Sequence, residues 1–91
     1  MKDEKVYIED ILESIEKIEE YTDSITENEF YNDTMIQDAV YRRLTIIREA
    51  VKNIPPKTRD IPWKRIAGMR DILTHQYSGV KLERIWMVIK K

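Results

Sequence analysis

A chain of 91 residues with no cysteine and one histidine has room for a single domain, residues 1–91, and no material for disulfides, thiolate metal sites or the usual zinc set. No apolar run approaches the roughly 20 residues of a membrane span. Met1-Lys2-Asp3-Glu4 is too acidic for a signal or transit peptide, so the expected location is cytoplasmic. The formal net charge of −1 conceals a partition: residues 1–33 carry −9, residues 34–56 carry +2 and residues 57–91 carry +6.

Residues 5–22 set Ile8, Ile11, Leu12, Ile15, Ile18 and Tyr21/Thr22 at helical spacing, with Glu9, Asp10, Glu13, Glu16, Lys17 and Glu20 on the other face. Asp3 can cap this first helix. Residues 23–32 are rich in capping and turn formers and connect two helices, with room for one short helical turn. Asn32 or Asp33 then caps a long helix whose stripe runs Ile36, Ala39/Val40, Leu44, Ile47, Ala50/Val51 and Ile54, ending at Pro55-Pro56.

After a short basic loop over residues 57–61, Pro62 suits the first turn of a third helix, with Trp63, Ile66, Ala67, Met69, Ile72 and Leu73 on its apolar side. Ser78-Gly79 punctuates the chain, and Leu82, Ile85, Trp86 and Ile89 mark a fourth helix. No alternating strand pattern or repeat interrupts this. The expected fold is all-α, an antiparallel four-helix up-and-down bundle. A domain of this size buries only about 60–65% of the surface its unfolded chain exposes, so a partner subunit would add stability.

The basic C-terminal third can attract a polyanion through counterion release. It fits equally well an acidic first helix packed beside basic ones. His75 is the one side chain whose ordinary pKa lies near neutrality. Arg70 precedes it by five residues, which on a helix is about 140° further round. The two are therefore neighbours along the helix without pointing the same way. Two chains packed antiparallel along this helix could gather both arginines and both histidines in one cleft.

Such a cleft suits RNA cleavage by the adjoining 2′-hydroxyl. A histidine near neutrality can remove that proton or protonate the leaving oxygen, and a permanently charged arginine can hold the phosphate. Tyr77 can stack on a base or hydrogen-bond a phosphate.

The run Arg70-x4-His75-x-Tyr77 resembles the Arg-x4-His-x-Tyr motif of HepT-like HEPN proteins. Asp71 stands where HEPN ribonucleases carry a polar residue. The flanks Ile61-Pro62-Trp63 through Gly68-Met69-Arg70 and Tyr77-Ser78-Gly79-Val80-Lys81-Leu82 through Trp86 are similar to that family's, as are Ile8 through Ile18 and Asp38 through Ala50. The resemblance spans nearly the whole chain. It implies a HEPN-type four-helix bundle and a toxin that is a metal-independent endoribonuclease without a cofactor. It also implies a homodimer with a shared cleft that acts on RNA rather than DNA.

The implied roles are Arg70 and His75 as catalytic residues, with Asp71 and Tyr77 in support. The implied antitoxin partner is a small nucleotidyltransferase that transfers AMP to Tyr77 and silences the toxin, since adenylylation adds bulk and a phosphate beside the cleft. The family pattern also offers Glu49 as a half-buried carboxylate pairing an arginine such as Arg70. A non-catalytic HEPN subunit, binding substrate for or regulating a nucleotidyltransferase, is the alternative. Trp63 and Trp86 at helical spacing are expected in the core or an interface. Arg42 and Arg43 fit either an RNA path or a solvated face, and the acidic first helix either solubility or antitoxin docking.

Overall fold

Helix α1 (Glu4–Thr22) begins where the Asp3 carboxylate accepts the Lys5 N–H at 3.2 Å, the expected cap. The computed structural model describes residues 3–69, 72 and 81–90, all helix, turn or loop. The buried line of α1 is Ile11, Ser14, Ile15, Ile18 and Thr22. Leu12, expected on this stripe, is 40% exposed instead. It lies about 100° round from Ile11, at the flank of a face centred on Ile11, Ile15 and Ile18, and Ser14 fills the opposite flank. The buried Thr22 hydroxyl is satisfied by the Ile18 carbonyl at 2.8 Å.

The connector contains a helix of its own, α2 (Glu27–Tyr31), started by a capping box. The Thr26 hydroxyl accepts the Glu29 N–H at 3.1 Å, and the Glu29 carboxylate accepts the Thr26 N–H at 2.8 Å. Phe30, nearly inaccessible, is the side chain this short helix delivers to the core. Asp33 rather than Asn32 caps α3 (Thr34–Val51), accepting the Ile36 N–H at 3.1 Å.

Gln37, a polar residue on the buried face of α3, was not on the apolar stripe. Its amide donates to the carbonyls of Phe30 at 2.9 Å and Tyr31 at 3.2 Å, so it closes the end of α2 and can be buried without an orphaned donor. Below it, Val40, Leu44, Ile47 and Ala50 continue the stripe as expected, and Ile54 follows beyond the helix end.

The helix ends at Val51, and a turn carries the chain to Pro55-Pro56. In the loop that follows, Asp60 takes a left-handed backbone (φ 67°), one of the few non-glycine side chains that tolerate it. Pro62 stands one position before the helix proper, its carbonyl accepting the Ile66 N–H at 3.0 Å, and α4 covers Trp63–Gly68. The last described helix, α5 (Leu82–Ile89), buries Ile85 and Ile89, with Leu82 and Trp86 half-buried beside them. The expected Leu73 and the Ser78-Gly79 break lie outside the described residues.

The direction of the helices follows from contacts at one end of the molecule. Gln37, near the start of α3, holds α2, whose Phe30 ring lies 5.3 Å from that of Trp86 in α5. Lys90, just past α5, sits over Trp86 and donates to the Thr22 carbonyl at the end of α1 at 3.1 Å. The start of α3 therefore lies near the end of α1, and the two long helices run antiparallel, as a bundle with short connections requires. An ion pair between Glu13 and Arg43, both mid-helix, fits the same alignment.

Two outcomes follow from these contacts. Replacing Gln37 by leucine keeps the volume but removes both bonds to the end of α2, and should cost about 1–3 kcal/mol in urea denaturation. Tyr31 donates its hydroxyl to Glu27, and this bond, with burial and the nearby carboxylates, raises its pKa to about 12. The folded state thus favours the protonated phenol. The stability from this contact is complete below the ordinary tyrosine pKa of about 10 and is lost as pH rises through the folded value. A phenolate absorbance titration should show one late-titrating tyrosine that Tyr31→Phe removes.

Candidate functional site

The residues singled out for chemistry, Arg70, Asp71, His75 and Tyr77, lie outside the described residues. What the structure places is the helix that leads into them and the surface against which that helix sits. Ile66, Met69 and Ile72 are buried at 6%, 0% and 5% exposure, so the chain is held in the core on both sides of Arg70-Asp71. The Ile72 N–H donates to the Met69 carbonyl at 3.0 Å across the same pair.

Three tethers position α4. Trp63 is half-buried, and its indole N–H reaches the Thr58 carbonyl at 3.0 Å, fixing the loop onto the helix start. Arg65 reaches Glu19 of α1 and the Ile89 carbonyl at the end of α5, each at 3.4 Å. It thus links three helices near the C-terminal ends of two of them, where a cation is favoured by the aligned peptide dipoles. Its Nε is buried without a partner, and among the described residues Glu19 and the Ile89 carbonyl are the groups its guanidinium reaches. Nothing in the local sequence marks Arg65 for this role; it emerges only when α1 and α5 converge on α4.

Ile72 closes the other end against α3, where Tyr41, Leu44, Thr45, Arg48 and Ile72 line a shallow cleft. The expectation for Glu49 needs correction. Its side chain is 58% exposed and pairs with Arg48 at 3.3 Å and Lys52 at 3.4 Å. Lys52 and then Arg48 hold its carboxyl below the usual range. Glu49 lies about half a turn away from the buried stripe of α3, which is why it faces water.

Arg43 is occupied by Glu13 at 3.4 Å, whereas Arg42 is exposed. Trp86 packs on Phe30 and Trp63 on its loop, so both tryptophans are packing residues, as their spacing indicated. Among the described residues no three histidine, cysteine, aspartate or glutamate side chains gather as a metal site, and no helix is long and apolar enough to cross a membrane.

Among the described residues the chain is helical throughout its regular elements, with no strand, as a HEPN-type bundle is. Residues 11–91 match the family described as Ribonuclease HepT-like, and the chain belongs to that family. It is 53% identical over 94 residues to a Methanocaldococcus jannaschii protein named "Gamma-glutamylcyclotransferase and putative RNase", with 99% of this chain aligned to 42% of that one. It is 45% identical to "Probable ribonuclease HepT" of Thermococcus cleftensis, covering 96% of this chain and 83% of the relative. Identity is 43% to a protein named "Putative RNase" from Caldanaerobacter subterraneus, covering 100% and 85%. The chain thus spans under half of the first relative and more than four-fifths of the other two. No solved structure matches it.

The tether at Trp63 can be checked directly. Trp63→Phe keeps the ring packing but removes the bond to Thr58, and should lower stability by about 0.5–1.5 kcal/mol in urea denaturation, with helicity by circular dichroism unchanged.

Proposed function

We propose that the chain is the toxin of a toxin–antitoxin pair, a metal-independent endoribonuclease that works as a homodimer. The observation that carries this reading is the order Arg70-x4-His75-x-Tyr77 in a chain that belongs to the Ribonuclease HepT-like family and has relatives named as ribonucleases. In this reading His75 takes the proton of a ribose 2′-hydroxyl, whose oxygen attacks the adjoining phosphorus. The bond from phosphorus to the 5′-oxygen breaks, and that oxygen receives a proton. Arg70 binds the phosphate and offsets the charge that develops on it. Asp71 orients the pair, and Tyr77 contacts the substrate.

On a helix Arg70 and His75 would diverge by about 140°, so in this reading one copy supplies a poor site and two antiparallel copies a good one. Silencing by a nucleotidyltransferase antitoxin follows the same residues. The Tyr77 hydroxyl attacks the α-phosphorus of ATP, pyrophosphate leaves, the phenolic proton passes to solvent, and AMP remains on the tyrosine. The added phosphate repels the RNA backbone.

Purified protein should cleave labelled RNA equally with and without a chelator. His75→Ala should lower the rate by about 10²–10⁴-fold while helicity and oligomeric state are retained. Full activity in that variant would sink the mechanism, and absence of cleavage by the unmodified protein would favour a non-catalytic subunit instead. Co-expression with a partner nucleotidyltransferase should add mass in multiples of an AMP unit at Tyr77, and Tyr77→Phe should remove the increment.

A further inference from the structure

The two flanks of the buried stripe on α3 face different neighbours. One carries Arg43, which is held by Glu13 of the acidic helix α1. The other carries Tyr41, Thr45, Arg48 and Lys52, at the i, i+4, i+7, i+11 spacing that sets side chains in one line along a helix. Three of these four line the cleft closed by Ile72, two residues along the chain from Arg70. The line therefore leads to Ile72, which in sequence falls between Arg70 and His75.

Its charge is positive. Arg48 and Lys52 share one carboxylate, that of Glu49, at 3.3 and 3.4 Å, with the side chains 30%, 64% and 58% exposed. Ion pairs this open to water hold their partners weakly, so an incoming phosphate can compete for both cations. Beyond Lys52 the chain passes through the loop to α4, where Lys57 and Arg59 are exposed. The cleft floor, by contrast, is closed: Leu44 and Ile72 are only 2% and 5% exposed. Contacts to this flank are thus made by its rim of cationic and aromatic side chains, the combination that tracks a single-stranded backbone and stacks its bases.

We propose that the line Tyr41–Thr45–Arg48–Lys52, continued by Lys57 and Arg59, is the track along which the backbone of a single-stranded RNA reaches the Arg70–Tyr77 segment. The inference rests on the ribonuclease reading above and adds the surface that binds the strand away from the reacting phosphate. It assigns the RNA path to this flank of α3 and not to Arg43 on the other.

The test is binding of a fluorescent single-stranded RNA to the His75→Ala protein across a salt series, in parallel with cleavage of the same RNA by the unmodified protein. The Arg48→Gln/Lys52→Gln and Lys57→Gln/Arg59→Gln pairs should each weaken binding. Each should also flatten the dependence of log affinity on log salt by about 0.7 for every phosphate that is no longer neutralised. Arg43→Gln, on the other flank, should leave the slope as it was. Circular dichroism checks that each pair retains its helices, and because the pairs lie on different elements, one that unfolds leaves the other to decide.

Unchanged affinity and slope in folded track variants, with cleavage by the unmodified protein intact, would overturn the track alone. An equal loss from Arg43→Gln would overturn it too. Neither cleavage nor binding by the parent proteins would overturn both the track and the reading beneath it.

Discussion

The antiparallel packing of α1 against α3 is the contact on which the other placements depend. Ile11, Ile15 and Ile18 from one helix join Val40, Leu44 and Ile47 from the other in a single buried cluster. Each such side chain contributes about 1.5–3 kcal/mol when fully withdrawn from water. An isolated helix of this length is marginal, so neither helix has reason to persist without the other. The pairing also decides the uses of the remaining surface. One flank of α3 is turned towards the acid-rich helix, the other is left for the chain that returns through α4, and the far ends of α1 and α3 meet where α2 and α5 close the core.

That arrangement explains how a helix as short as α4 keeps its place in the fold. Six residues make little helix by themselves. The tether from Trp63 to its loop, the reach of Arg65 to two other helices, and the burial of Met69 and Ile72 fix it from outside. The position of α4 and of Ile72 therefore depends on residues far from them in sequence. The same logic applies to Lys90, which reaches back to the end of α1 and ties the two ends of the sequence together.

Much of this was legible along the chain. The stripe of α3, the capping by Asp3 and Asp33 and the packing roles of both tryptophans follow from local rules of spacing and end chemistry and appear as expected, whereas the long helix ends at Val51, ahead of the double proline where its end was expected. What could not be read were residues whose roles depend on partners distant in sequence. Gln37 stands outside the apolar stripe, yet it is buried because the carbonyls ending α2 lie within its reach. Leu12 looked buried, yet the axis of contact with α3 passes to one side of it. Glu49 was expected half-buried beside an arginine such as Arg70, but its angle on the helix directs it to solvent and to Lys52 and Arg48, and Arg70 lies outside the described residues.

The motif itself was legible only as a sequence: the order and spacing of Arg70, His75 and Tyr77 within a family-wide pattern carry the functional reading. By itself the sequence determined the helical period, the helix ends and the identity of the chemical groups, because these depend on neighbours within a turn or two of chain. The tertiary structure decided which flank of each helix is covered, which cations are committed to carboxylates of other helices and which face water. Those outcomes depend on how two helices approach, and a one-residue change of angle, about 100°, moves a side chain from core to solvent.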